Sequence, residues 1–352
     1  MGRHLSRLGK VVLFGSGETT AAGRRIHEQV LSTLKLPIKV AILETPAGFE
    51  PNSDRVAQKV ADFVRVRLQN FKPEVSVIPA RSRHPPFSTD DAKLLAPMLE
   101  ANYVFAGPGS PTYMARHMAG SLALSYLVGR HRRGAAVALA SAAAIAISSK
   151  CLPVYEIFKA GHDLHWVDGL DFFNPFGLEL AIVTHWDNQE GGAEVDTRHC
   201  FMGRTRMEAL RGLLPRSTVV LGVDEATGLV FDFQAESCQV LGSGGVTILS
   251  AGSEESFGSG STIPMQRLGP YHAPEEEGGC GPYVQMIGEE PETEGEVPQE
   301  VLALVQRREE LRRARSYAEA DVIRQQAAEL GYEIEDTRDG ARLRKKTGQR
   351  AA

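Results

Sequence analysis

A single serine interrupts an alanine run at Ala140-Ser141-Ala142-Ala143-Ala144, directly after the apolar stretch Ala136 to Ala140. The stretch reads as a buried strand and the alanines after it as the start of a helix, so Ser141 falls on a strand-to-helix turn. A hydroxyl exposed there can act as a nucleophile, and the helix N-terminus adds positive potential. His185, at another predicted strand end, can take its proton. Glu225, with Asp224 as the neighbouring choice, can orient the imidazole. Gly107-Pro108-Gly109-Ser110 follows a further strand, and the amides of Gly109 and Ala142 can hold an oxyanion because glycine permits close approach to a substrate. The polar run Gly15-Ser16-Gly17-Glu18 also follows a strand. Together these residues spell acyl transfer through a Ser-His-acid arrangement. His199 is the competing base and Cys200 the weaker competing nucleophile, since neither stands at a strand end.

Residues this far apart in sequence can meet only if the elements between them bring strand ends together. Short β-branched runs alternate with longer amphipathic segments up to about Ser250, the pattern of a doubly wound, mostly parallel α/β sheet with helices on both faces. The predicted strands are Val11 to Phe14, Lys39 to Leu43, Val75 to Ile78, Tyr103 to Ala106, Ala136 to Ala140, Leu180 to Thr184 and Val219 to Val223. Helical spacing marks Arg55 to Arg67 and Thr112 to Val128. In a sheet of this kind ligands bind at the carboxyl ends of the strands, where all the candidate residues lie. Leu229 to Phe233 and Cys238 to Leu249 read as antiparallel strands that extend one edge.

From 253 to 299 the chain is rich in Gly, Pro, Ser and Glu, and is expected to be a linker. Helical spacing resumes at Val301, with Leu304, Leu311, Ala314, Ala318, Ile323, Ala327 and Leu330, and Gly331 stops it. Two helices are expected, then a small hairpin turned at Asp339-Gly340. The boundaries are therefore 1–252, 253–299 and 300–346.

Composition narrows the function classes. The 352 residues are 42% hydrophobic and 24% charged, as in an ordinary globular protein, and the net charge of -5 argues against nucleic-acid binding by the whole surface. The four cysteines, Cys151, Cys200, Cys238 and Cys280, form no C-x-x-C pair, so neither a disulfide framework nor a zinc site is expected. No apolar stretch has the length of a membrane span, and a cytoplasmic location is expected. No metal or cofactor is called for. Oligomeric state is left open, a homo-oligomer included.

The same residues carry a family resemblance. Phe105-Ala-Gly-Pro-Gly-Ser is similar to the glycine loop of the peptidase S51 and cyanophycinase branch of the class I glutamine amidotransferase-like proteins. Ala140 to Ala144 falls where they carry G-x-S-A-G-A, and His185-Trp186 looks like their His-aromatic pair. Leu221-Gly-Val-Asp-Glu-Ala-Thr and Val240-Leu-Gly-Ser-Gly-Gly-Val-Thr-Ile resemble their G-I-D-E-x-T-A and G-x-G-x-V-T segments. The resemblance implies a flavodoxin-like fold with Ser141 as nucleophile, His185 as base, Glu225 as acid, and Gly109 and Ala142 as oxyanion donors. It also implies hydrolysis, without a metal, of a small acidic peptide or amide whose carboxylate Arg198, Arg204 or Arg206 could bind. Leu139 and Ala143 replace both glycines of the nucleophile motif, and Ser110-Pro111-Thr112 replaces a usual polar pair. A bulky Leu139 is expected to crowd the turn.

A second, local resemblance lies in the tail. Ala314-Arg-Ser-Tyr-Ala-Glu-Ala-Asp321-Val-Ile-Arg324 and Leu330-Gly331-Tyr-Glu-Ile-Glu-Asp336-Thr resemble the C-terminus of bacterial cysteinyl-tRNA synthetases. That resemblance implies a tRNA contact through Arg342, Arg344, Lys345 and Lys346. No HIGH or KMSKS signature is present, so the chain is not expected to be a tRNA ligase.

Overall fold

The computed structural model describes residues 8–273 and, in the tail, 304–305, 307–308, 311–312, 316–330, 332–337 and 340–345. The chain divides into two compact units, Met1–Gly288 and Glu289–Ala352.

The first unit begins with β1 (Val11–Phe14), α1 (Ala21–Leu31), β2 (Lys39–Leu43), α2 (Ser53–Arg67), β3 (Glu74–Ile78), α3 (Ala92–Glu100) and β4 (Tyr103–Ala106). There follow α4 (Pro111–Met118), α5 (Leu122–Arg132), β5 (Ala136–Ala140), α6 (Ala142–Ala146), β6 (Lys150–Cys151), α7 (Val154–Phe158) and β7 (Val167–Asp168). After them come β8 (Leu180–Val183), α8 (Gly203–Gly212), β9 (Val219–Val223), β10 (Thr227–Asp232), β11 (Ser237–Gly242), β12 (Gly245–Ser250), β13 (Ser253–Gly258) and β14 (Thr262–Pro264).

Strands β1, β5, β4, β2 and β3 lie side by side in that order, all parallel. Their buried residues alternate between two cores, as a period of two requires. Val12, Phe14, Val40, Ile42, Tyr103, Phe105, Ala136, Ala138 and Ala140 meet Ile26 and Val30 of α1 and Val60 and Val64 of α2. Val11, Leu13, Ala41, Leu43, Val104, Ala106, Val137 and Leu139 meet Leu95 and Met98 of α3, Met114 of α4, Leu127 of α5 and Ile145 of α6. Helices therefore cover both faces, and the fold is doubly wound.

Three expectations are corrected. The antiparallel strands do not form one edge: β10 pairs with β1, with β11 and β14 beyond it, whereas β12 joins β8, β9 and β13 in a second, four-stranded sheet. The first domain does not stop at 252, because β13 pairs with β12, β14 pairs with β11, and Ile263, Met265 and Leu268 are buried. The mostly polar and small residues of β13, with Phe257 its one large apolar side chain, concealed a strand that is largely open to solvent. The helix expected over Thr112 to Val128 is two helices, since Gly120 adopts a φ of 69° and the Ser121 side chain caps α5 by accepting the Leu124 amide.

In the tail, α9 (Tyr317–Glu329) precedes the hairpin β15 (Tyr332–Thr337) and β16 (Gly340–Lys345). Among the described residues of the tail, Ala320, Ala327 and Ile334 are buried. The second expected helix and the hairpin that turns between Thr337 and Gly340 are both present. The first expected helix, the 274–299 part of the linker and Lys346 lie largely or wholly outside the described residues.

Candidate active site

Ser141 follows β5 and precedes α6, with φ 51° and ψ -112°. An L-residue rarely adopts that conformation, and it lifts the hydroxyl out of both elements. The Ser141 amide donates to the Phe14 carbonyl at 3.0 Å, which ties the turn to the end of β1. Leu139 does not crowd it: its side chain is fully buried in the core beside Leu13 and Ala106. The alternation that points Leu139 inward explains why a large side chain fits there.

His185 follows β8, also with positive φ (49°). Its Nε2 lies 2.9 Å from Ser141 Oγ, and its Nδ1 lies 2.9 Å from Glu225 Oε1. With Nδ1 protonated toward the carboxylate, Nε2 accepts the serine proton; the tautomer follows from these partners. Glu225 sits in the short link between β9 and β10. The Asn188 amide also donates to Oε1 at 3.1 Å, the Glu225 N–H donates to Asp187 Oδ1 at 2.7 Å, and the Ala226 N–H donates to Ser16 Oγ at 3.1 Å. Asp224 is turned elsewhere, accepting the Gly245 amide at 2.7 Å, and burial raises its carboxyl above the usual range.

Gly109 has φ 150°, and a Cβ there would lie 2.0 Å from the Pro46 carbonyl oxygen, so only glycine fits. The neighbouring Ser110 amide donates to that carbonyl at 2.9 Å. Ala142 is the first residue of α6 and has no acceptor within the helix. Among the described residues neither the Gly109 nor the Ala142 amide has a protein acceptor.

His199 lies against Trp186, ring centroids 4.1 Å apart and tilted by 51°, and burial lowers its imidazole below the ordinary range. The histidine bonded to Ser141 is His185. Cys200 is buried, which pushes its thiol up to about 12, away from the thiolate a nucleophile needs. Trp186 packs where Gly222 lacks a side chain; a Cβ on Gly222 would lie 2.3 Å from the indole.

The arginines are dispersed. Arg198 is paired with Asp196 at 2.8 Å, holding that carboxyl well below its usual range, and Arg206 donates to the Phe201 and Met202 carbonyls. Arg198 and Arg204 line a cavity of about 590 Å³ whose wall includes Trp186 and Asp187 but not Ser141. In the tail, Arg342 and Arg344 sit on β16 opposite Glu335 and Glu333, and Lys345 opposite Tyr332.

Sequence reasoning missed Asp187 and Asn188. Their only signal was the polar run after His185, in which they read as loop. Glu18 had been noted as part of a polar turn; burial holds its carboxyl above the usual range, opposed by its own backbone hydrogen bond and by the nearby side chains of His185 and Lys59. Among the described residues no group of three His, Cys, Asp or Glu side chains is placed to hold a metal ion, and no helix is long and apolar enough to cross a membrane.

A peptidase from an acI-B1 Actinobacterium, known from its crystal structure, superposes with a TM-score of 0.59 over 74% of this chain and 98% of its own, at 19% identity. The chain shares that fold. No family model matches. A 50-residue segment is 48% identical to the cysteine–tRNA ligase of Chlamydia felis and 44% identical to that of Chlamydia abortus, in each case 14% of this chain. The segment spans about a tenth of each ligase's length.

Proposed function

We propose that the protein is a serine hydrolase of the peptidase S51 kind that cleaves an amide or peptide bond through Ser141, His185 and Glu225. The observation that carries this reading is the unbroken hydrogen-bond chain from Ser141 Oγ through both ring nitrogens of His185 to Glu225, at a serine held in a strained strand-to-helix turn. In this mechanism Ser141 Oγ bonds to the substrate carbonyl carbon while its proton passes to His185 Nε2. Glu225 stabilises the resulting imidazolium, and Gly109 and Ala142 donate to the oxyanion. The C–N bond then breaks, His185 returns the proton to the leaving amine, and water repeats the sequence on the acyl-enzyme. The family resemblance implies that the substrate carries an acidic group; Arg198, paired with Asp196, is not free to receive it without giving up that partner.

The test is covalent labelling. A fluorophosphonate probe should attach to Ser141, and Ser141→Ala and His185→Ala should each remove nearly all labelling without additive loss. Undiminished labelling in Ser141→Ala would reject the assignment and favour a non-catalytic scaffold.

For the tail, the likeness of a 50-residue segment to two cysteine–tRNA ligases supports a tRNA contact carried by Arg342, Arg344, Lys345 and Lys346. Binding of tRNA by the full chain should weaken steeply with salt and vanish when residues 300–352 are removed. Equal binding by the shortened chain would refute the contact.

A further inference from the structure

Asn188 is 1% exposed, and a carboxamide so buried must find partners for both of its ends. Its Oδ1 accepts the Glu190 N–H at 3.1 Å, the two-residue turn that asparagine makes in loops. Its Nδ2 donates to Glu225 Oε1 at 3.1 Å, the same oxygen that lies 2.9 Å from His185 Nδ1. These partners fix which way the amide points, because turning it over would set an NH2 group against an N–H and an oxygen against a carboxylate. The Asn188 backbone N–H donates to the His185 carbonyl at 3.2 Å.

One residue earlier, Asp187 Oδ1 accepts the Glu225 N–H at 2.7 Å. Glu225 is therefore held twice, at its backbone and at the carboxylate oxygen that faces the base, and both anchors come from the loop that carries His185. That loop is tied to β9 in turn: Trp186 donates its N–H to the Val223 carbonyl at 3.1 Å and lays its indole over Gly222. Since β8 and β9 are neighbours in one sheet, base and acid form a single braced piece. A glutamate with one partner keeps torsional freedom about its long side chain, and a second donor on the same oxygen removes it. The ionisable groups around this corner are His185, Glu225 and Asp187, with Glu18, Cys200 and Asp224 beyond them.

We propose that Asn188 is a positioning residue for the hydrolysis: it holds Glu225 Oε1 against His185 Nδ1, so that Nε2 stays free to accept the Ser141 proton. The inference rests on the reading of Ser141, His185 and Glu225 as one unit, and the experiment separates the two. Full-length Asn188→Ser and Asn188→Asp are treated with a fluorophosphonate, and Ser141 labelling is followed by mass spectrometry across a range of pH. Serine and aspartate both keep the turn to Glu190, so the local fold is common to all three proteins. Serine is too short to reach Glu225, and labelling should slow about tenfold at every pH, as for loss of a hydrogen bond to a charged group. Aspartate has the shape of asparagine but sets a second carboxylate against Glu225, and two carboxylates this close share a proton. While they share it the bond to Oε1 survives; once it is lost they repel. Asn188→Asp should therefore label within about threefold of the parent near about pH 6 and at about a tenth of its rate or less near about pH 9. Circular dichroism checks that each variant is folded at the labelling temperature. Should either unfold, amide exchange decides: with nitrogen-labelled asparagine, a side-chain amide protected in the parent should lose protection in Glu225→Ala, and unchanged protection there would refute the contact. Parent-like labelling by Asn188→Ser, or a ratio of Asn188→Asp to parent that is flat or rises with pH, would overturn the role of Asn188 while Ser141 still reacts. No labelling of the parent itself would defeat the reading of Ser141 as nucleophile, and this role with it.

Discussion

The Cys200 amide donates to the His185 carbonyl at 3.1 Å, and it does so from the middle of three consecutive non-glycine residues with positive φ: His199 (55°), Cys200 (55°) and Phe201 (67°). The His199 amide reaches the Trp186 carbonyl at 2.8 Å in the same turn. A left-handed run of this length costs about 1–2 kcal/mol per residue, so the remaining contacts must hold it in place. Its result is to fix the backbone that carries the proposed base.

Relief and aggravation of that strain should therefore have opposite effects. Cys200→Gly should keep Ser141 labelling within about twofold of the parent rate, because glycine adopts the turn freely. Cys200→Val, β-branched and averse to positive φ, should cost about 1–2 kcal/mol of stability and slow labelling. Denaturant titration and labelling kinetics on both variants check this; faster labelling in Cys200→Val than in the parent would contradict it.

Ser141 carries the same signature, with an opposite outcome for function. Ser141→Gly should be more stable than Ser141→Ala by about 1 kcal/mol, because only glycine relaxes at φ 51°. Both should be inert to the probe. Equal unfolding midpoints would show that the turn stores no strain.

At the glycine loop, Gly109→Ala places a methyl group 2.0 Å from the Pro46 carbonyl oxygen, so the loop must move. Labelling of Ser141 should drop by roughly a hundredfold or more, as for loss of an oxyanion donor. Retention of the parent rate would remove Gly109 from the proposed site.

Two buried histidines make the fold sensitive to acid. Burial pushes His27 down to about 4, and burial together with the nearby Arg132 charge pushes His131 down to about 3. Above pH 6.5 both states hold neutral imidazoles, and these groups add no pH dependence. Below it the unfolded chain binds protons that the folded chain refuses, so stability falls from pH 6.5 toward 4 for His27 and on toward 3 for His131, by roughly 2 kcal/mol per histidine at pH 5. His131 lies among the rings of Phe172, Phe176 and Phe233, at 5.0, 6.0 and 5.1 Å, and its ring nitrogens have no hydrogen-bond partner among the described residues. His131→Phe should make the fall of Tm with pH shallower; an unchanged slope would exclude it as a source.

A chain ended at Gly252 should unfold at markedly lower temperature than one ended at Ala273. The shorter one loses β13, β14 and the buried Ile263, Met265 and Leu268. Equal midpoints in a thermal scan would show those strands to be dispensable.

The parallel strands were legible because β-branched and alanine-rich runs bounded by Gly and Pro have one stable arrangement between two layers of helices. Ser141, His185 and Glu225 were legible for a related reason: each follows such a run, and strand ends of a doubly wound fold converge. The division into two sheets was not. Nothing local in Gly245–Ser250 says that it pairs with β9 rather than continuing beside β11, since register is settled by packing across the chain. The polar groups behind Glu225 were hidden likewise, because Asp187 and Asn188 acquire partners only once the β9–β10 link folds over them. Arg198 was read as available to a ligand, but a carboxylate two residues away had already claimed it.

The link between β9 and β10 passes from the four-stranded sheet to the eight-stranded one, and Glu225 sits within it. Ser141 hangs from the larger sheet and His185 from the smaller, so the hydrogen bonds from Ser141 through His185 to Glu225 act as a gauge across a seam. A shift of about an ångström between the sheets would leave each ladder intact and yet open one of the two 2.9 Å bonds. On the proposed assignment, labelling of Ser141 would register slippage at the seam before any spectroscopic measure of sheet content does, and Asp224 to Ala226 are where changes in loop length would open the hydrogen-bond chain without unfolding the protein.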